Sequence, residues 1–310
     1  MRKLLVFVFM LFGLLSLLSC GEEKYDVVVT NYVGYDAVKA STSAIDSIKV
    51  KMIIAPGAEI HHYELSMSDT RAIYNAKLFV YVGGESDEWA QDIVISAKAK
   101  GVKVLSMFDI LYDALLVEEG EEDEYDEHVW TDPTNYSRIV KDINYELGLL
   151  FPDNKEVMDS YAERYRKLLR DRDNTIELLV KNANKNVIVV ADRNPFLYFE
   201  KHYKIDVVGA LSGCSTDGTA SMEKIRELKK VVEDNKLKAI FTIELSKGSI
   251  AKTLSDEIDK DIREGSYAGE SVTVYTLYSM HNITKNDFEA GVTYLNLLDR
   301  NIEKLRTALS

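Results

Sequence analysis

Residues 157–184, VMDSYAERYRKLLRDRDNTIELLVKNAN, contain neither glycine nor proline. Their apolar side chains recur at spacings near three and four, which is the stripe of an amphipathic α-helix. Asp153 and Glu156, just before this stretch, have the spacing of a helix cap. About 30 helical residues extend about 45 Å, which exceeds one small domain. The stretch therefore predicts a long helix, residues 152–185, that connects two lobes.

Strand and helix patterns alternate on both sides of this helix. Short apolar runs predict strands at residues 26–30, 50–55, 78–82, 102–105, 187–190, 206–209, 239–243 and 272–277. Helical patterns lie at residues 66–76, 89–100, 133–150, 195–203, 221–235, 247–260 and 287–308. Such alternation favours mostly parallel sheets flanked by helices. The predicted fold is α/β with an N-terminal lobe, residues 21–151, and a C-terminal lobe, residues 186–310.

The first 20 residues have the pattern of a secretory signal. Arg2 and Lys3 precede an uncharged run over residues 4–19, which is too short for a comfortable transmembrane helix. The run ends in LLSCG at residues 17–21, which resembles a bacterial lipobox. Residues 1–20 are therefore predicted to be a lipoprotein signal peptide. Lipidation at Cys20 would then anchor the protein to a membrane surface outside the cytoplasm.

Composition excludes several classes of protein. The 310 residues include 51 acidic and 38 basic ones, and the net charge of −13 argues against a nucleic-acid binder. Two cysteines are too few and too far apart for a disulfide scaffold or a C-x-x-C metal site. The run EEGEEDEYDE, residues 118–127, is interpreted as a solvated loop, and His202 as a solvated helix residue.

Four polar residues follow predicted strands and are candidates for a site. They are His61, Asp192, Glu244 and His281. In open parallel sheets, ligands bind beyond the carboxyl ends of the strands. Imidazole and carboxylate ligands suit Zn(II), whereas a set richer in carboxylates suits Mn(II) or Fe(II). Glu244 and Asp192 are each predicted to be a fourth ligand or to orient a ligand imidazole.

Two motifs resemble those of the metal-binding lipoproteins of zinc and manganese ABC importers. They are GAEIHHYELSMSD, residues 57–69, and DEHVWTDP, residues 126–133. The resemblance covers essentially the whole chain after the signal, and it implies that His61 and His128 are metal ligands. The family's third ligand, a His or Glu, aligns with Arg193, whose guanidinium cannot bind a cation. The family's fourth ligand, an Asp, is missing from the loop after the last strand, where His281 is a substitute of the kind found in a divergent branch of the family.

The resemblance implies extracytoplasmic capture of a divalent metal ion in the cleft between the lobes, with delivery to an ABC permease. Zinc is the predicted metal and manganese the alternative. The protein is expected to be a monomer that binds no nucleic acid and catalyses no reaction. No G-x-S-x-G, H-E-x-x-H or P-loop motif is present. Two other functions are open at this point: a metal-dependent hydrolase, and an adhesion module with a degenerate metal site.

Overall fold

The computed structural model describes residues 24–58, 63–118, 124–213 and 219–310. The predicted signal peptide with Cys20 lies outside these ranges. So do the predicted ligand His61 and residues 119–123 of the acidic run.

Two four-stranded parallel sheets form the centres of the two halves of the chain. The strands are β1 Val27–Val29, β2 Val50–Met52, β3 Leu78–Tyr81, β4 Lys103–Ser106, β5 Val187–Asn194, β6 Asp206–Ser212, β7 Ala239–Thr242 and β8 Thr273–Thr276. Their spatial orders are β2-β1-β3-β4 and β6-β5-β7-β8, with parallel neighbours throughout. In each sheet the strand order reverses next to the strand that comes first in sequence, which is β1 in one sheet and β5 in the other. Such a reversal opens a crevice beyond the carboxyl ends of the strands. The predicted α/β class with two parallel sheets is confirmed.

Helices cover the sheets and join the strands. They are α1 Tyr32–Thr42, α2 Met67–Asn75, α3 Gln91–Ala99, α4 Met107–Ile110, α5 Pro133–Leu150, α6 Lys155–Lys181, α7 Leu197–Tyr203, α8 Met222–Asp234, α9 Ser249–Glu264, α10 Lys285–Glu289 and α11 Tyr294–Ala308. Within the described ranges, none of the helices is both long and apolar enough to cross a membrane.

The structure differs from the predicted helices at the short helix α4, which was not predicted, and at two longer segments. No helix was predicted for α1, because nearly all its faces are buried and its apolar residues therefore form no one-sided stripe. Its close packing depends on Gly34, where a Cβ atom would lie 3.3 Å from the Cβ of Val29. The single helix predicted over residues 287–308 is wrong. The chain leaves α10 through Gly291, at φ +69°, and α11 begins with a new capping box at Thr293.

Helix α6 is the predicted connecting helix and runs for 27 residues, about 40 Å. It packs against α1 and α5 of the first half and against α7 and α11 of the second. Its buried residues Leu169 and Ile176 belong to one hydrophobic cluster that also includes Val80 of the first sheet and Phe241 of the second. The two halves therefore share a core.

A buried carboxylate joins four helices within this shared core. Asp36 of α1, 5% exposed, accepts hydrogen bonds from the hydroxyls of Tyr136 on α5 and Tyr165 on α6. Its other oxygen accepts the backbone N–H of Tyr294, the first residue of α11, at 3.0 Å. Burial raises the pKa of Asp36, and these hydrogen bonds act in the opposite direction. The three donors thus supply the buried Asp36 carboxylate with the hydrogen bonds that water would otherwise provide.

His202 on α7 is half-buried between two acids, so its interpretation as a solvated residue is wrong. Its Nδ1 lies 3.2 Å from a carboxylate oxygen of Asp132, and its Nε2 lies 3.0 Å from one of Asp173. Asp132 caps α5, and Asp173 lies on α6. These two hydrogen bonds raise the pKa of His202 to about 10, although burial opposes them. The imidazolium therefore bridges the two halves of the chain.

We expect His202→Gln to lower the free energy of unfolding by about 2 kcal/mol near pH 6. The folded-state pKa of about 10 exceeds the ordinary value of about 6.5. The contribution is therefore complete below about pH 6.5 and is lost as the pH rises through about 10. Urea unfolding of both proteins at several pH values measures it. Lys201→Gln removes an exposed positive charge from the same helix and is the control. If His202→Gln lowered the free energy of unfolding by the same amount at every pH up to about 10, the ion-pair account would be contradicted.

Candidate metal centre

His128 lies at the end of the acidic run, where the chain enters a short 3-10 helix, Val129–Thr131, ahead of α5. Its side chain is buried, and its backbone N–H donates to Asp126 Oδ1 at 2.8 Å. The same oxygen lies 3.2 Å from His128 Nδ1. If Nδ1–H donates to Asp126, the lone pair of Nε2 is available for a metal ion, which is the usual carboxylate–histidine–metal arrangement.

His281 lies in the loop after β8, and Glu244 holds this loop in place. Glu244 follows β7 and accepts the N–H of Ser279 at 2.7 Å, the hydroxyl of Ser279 at 2.6 Å and the N–H of His281 at 3.0 Å. Burial raises the pKa of Glu244, against these three hydrogen bonds. Two non-glycine residues with positive φ flank the contact, Leu245 at 61° and Met280 at 62°. Such strained backbone is typical of functional sites.

The structure brings His128 and His281 together although 152 residues separate them in sequence. Their ring centroids lie 5.1 Å apart with the rings perpendicular, and Trp130 lies 5.2 Å from the His281 ring. Trp130 Nε1 donates to the carbonyl of Ser279 at 2.8 Å and so ties the two segments together. A third side chain, Glu127, also faces the pair. One possible ligand atom from each of Glu127, His128 and His281 lies within 4.8 Å of the others, and all three residues are buried.

A small cavity of about 50 Å³ lies at this cluster. His128, Arg193, Gly213 and His281 are among the residues that line it. Gly213 permits the close approach, because a Cβ atom there would lie 3.2 Å from His128 Cε1. Gly213 also lines a larger cavity of about 520 Å³, whose wall includes the acids Glu118, Asp126, Glu200 and Asp206. A cation in the larger cavity would therefore meet negative charge before it reached the imidazoles.

Two further candidate residues from the sequence are Asp192 and His61. Asp192, near the end of β5, accepts hydrogen bonds from the N–H of Arg193 and the hydroxyl of Ser246, and it is not among the three clustered residues. His61 is outside the described residues, but the segment before it is tied to the His281 loop. Asn282 Nδ2 donates to the carbonyl of Ala58 at 2.7 Å. The chain therefore approaches the cluster three residues before His61.

Sequence reasoning missed Glu127 as a member of the cluster. It was read as the last acid of a solvated run, yet its side chain is only 1% exposed. The available signal was its position directly before His128, in a segment that ends in the apolar pair Val129-Trp130. A second group of three potential ligands consists of Asp173, Glu177 and His202, and it includes the imidazolium described above.

Comparisons with known proteins show which proteins this chain is similar to. The profile of the family ZnuA, "Zinc-uptake complex component A periplasmic", matches residues 27–308. The zinc-binding lipoprotein AdcA of Streptococcus pneumoniae is 28% identical over 310 residues, covering 94% of this chain and 58% of AdcA. This chain thus spans little more than half the length of that relative. The high-affinity zinc uptake system protein ZnuA of Bacillus subtilis is 26% identical over 301 residues, covering 93% of this chain and 88% of that protein.

A solved structure shares the fold as well. The Zn(II)-bound ZnuA-like domain of AdcA from S. pneumoniae superposes with a TM-score of 0.74 at 26% identity. The superposition covers 93% of this chain and 99% of that domain. Because the family match runs from β1 to α11, this chain belongs to the ZnuA family, zinc-uptake complex component A, periplasmic.

Proposed function

We propose that this protein captures a divalent transition-metal ion outside the cytoplasm and delivers it to the permease of an ABC importer. The observation that supports this most directly is the buried group of metal-ligating side chains where the two halves of the chain meet. The ion is the cargo, and no chemical conversion is part of the proposal. Family membership and the names of the zinc-binding relatives point in the same direction.

We infer that zinc is the cargo and that His128, His281 and His61 bind it. Neutral imidazoles suit Zn(II), whereas manganese prefers oxygen ligands. Glu244 and Asp192 then orient the loops, because their oxygens already accept hydrogen bonds from loop donors. Arg193 lines the cavity as a fixed positive charge and cannot coordinate the ion.

The remaining parts of the proposal concern location and organisation. Lipidation at Cys20, with cleavage of the signal peptide just before that residue, would hold a monomer on the outer face of a membrane near the permease. The lobes would be residues 21–151 and 186–310, joined by the helix over residues 152–185. The name of AdcA, a lipoprotein, supports the anchor.

Native mass spectrometry of protein purified without chelators tests the metal proposal. One zinc ion per chain is expected, and a competing chelator should give a tighter dissociation constant for zinc than for manganese. A chain that carries no metal and takes up none from added zinc would overturn the proposal. Preference for manganese would overturn the choice of zinc but leave metal capture intact.

Zinc affinity should fall steeply as the pH decreases through about 7. Zinc binds only neutral imidazole, whose ordinary pKa is about 6.5. Burial lowers the pKa of His128, but the Asp126 carboxylate and other nearby acids raise it more, so the pKa lies above its ordinary value. Each imidazole that must lose a proton weakens binding by up to about tenfold per pH unit below its pKa. Competition titrations between about pH 8 and pH 5 measure this effect; constant affinity over that range would contradict binding by imidazole.

A further inference from the structure

We propose that Glu127 is a direct ligand of the metal ion and supplies the site's carboxylate. This inference rests on the proposed function and adds a residue to the same site. Glu127 Oε1 lies 3.9 Å from His281 Nε2, and the Glu127 side chain is 1% exposed. Since metal–oxygen and metal–nitrogen bonds are each about 2.1 Å long, one ion can bridge two atoms at this separation.

The chain leaves space for the Glu127 carboxylate by means of a glycine. A Cβ atom at Gly84, just after β3, would lie 2.6 Å from Glu127 Cβ and 3.0 Å from Glu127 Oε2. A side chain at position 84 would therefore force either Glu127 or the turn itself to shift. Asp87 fixes this turn, because its carboxylate accepts the N–H groups of Val82 at 2.6 Å and Gly83 at 3.3 Å. The turn after β3 is therefore held in a conformation that leaves room for the Glu127 side chain.

The other carboxylates at the site are engaged differently. Glu244 uses both oxygens to accept backbone and hydroxyl donors of the His281 loop, and Asp126 faces Nδ1 of His128. Glu127 is the carboxylate whose oxygen lies with the two imidazoles in one group of potential ligand atoms. Coordination by Glu127 would also reduce the net charge of a zinc–imidazole complex from +2 to +1 inside the protein.

The test compares Glu127→Gln with Glu124→Gln in the full chain. Both variants lose one negative charge from the same segment, but Glu124 is exposed and serves as the control. We expect Glu127→Gln to weaken zinc binding at least tenfold while one ion still binds, and Glu124→Gln to bind like wild type. Circular dichroism checks that both variants fold.

Infrared difference spectra, with and without zinc, separate a ligand from a residue that only adds negative charge. A ligand carboxylate shifts its stretching bands when zinc binds, so wild type and Glu124→Gln should show a band that Glu127→Gln lacks. Unchanged affinity in Glu127→Gln, or weaker binding with the same carboxylate band, would overturn the inference while zinc capture stands. Failure of wild type to bind zinc would instead overturn the proposed function.

Discussion

His128→Ala is expected to weaken zinc binding by at least about 100-fold. The change would remove one of the proposed bonds to the ion, and losses of about 10–100-fold already follow when only a residue behind a ligand is changed. It also removes the imidazole that faces the buried Asp126 carboxylate, which keeps the backbone N–H of residue 128 as a donor. His281→Ala should have a comparable effect, because its ring stands perpendicular to that of His128 at 5.1 Å.

Isothermal titration with a competing chelator measures the loss of zinc affinity in His128→Ala and in His281→Ala, with His202→Gln as the control. That control removes an imidazole from the junction of the two halves, but His202 bonds to Asp132 and Asp173 and not to the cluster. It should therefore bind zinc like wild type at a temperature where it remains folded. Wild-type affinity in His128→Ala or in His281→Ala would remove that residue from the proposed site.

The fold could be predicted from the sequence because clear boundary residues separate the segments with strand periodicity from those with helical periodicity. Helix α5 begins at Pro133 as predicted, since proline at the first turn follows the capping residue Asp132. Helix α2 was predicted from residue 66 and begins at Met67, where Ser66 and Asp69 form a capping box. The prediction of helices failed for α1, where nearly all faces are buried. It also failed at Gly291, where one glycine divides a continuous apolar pattern.

The candidate site was less accessible from the sequence than the fold. His281 and Glu244 could be placed near one another because both follow parallel strands, whose carboxyl ends share one edge of a sheet. That rule does not state whether a side chain points to the ligand or to a neighbouring loop. Glu244 turns to the loop backbone, whereas Glu127, in a run that charge alone marks as solvated, turns inward. Only the tertiary contacts with Gly84 and His281 distinguish Glu127 from the exposed Glu124 of the same run.

Asp36→Ala should lower the free energy of unfolding by about 3–5 kcal/mol, because it leaves three buried donors without their acceptor. Asp36→Asn should cost less, since its oxygen still accepts and its amide can donate to a tyrosine hydroxyl that rotates. Asp46→Ala, which changes an exposed aspartate, is the control and should cost less than about 0.5 kcal/mol.

Urea unfolding of the metal-free protein, followed by circular dichroism, measures these differences. The shared hydrophobic core predicts one cooperative transition for both halves in wild type. The position of Asp36 also connects stability to the site: Tyr294, whose N–H it accepts, donates its own hydroxyl to the carbonyl of Trp130 at 2.7 Å, and Trp130 packs against both imidazoles. If Asp36→Ala unfolded like Asp46→Ala, the buried carboxylate would not contribute to holding the four helices together and would not link the two halves.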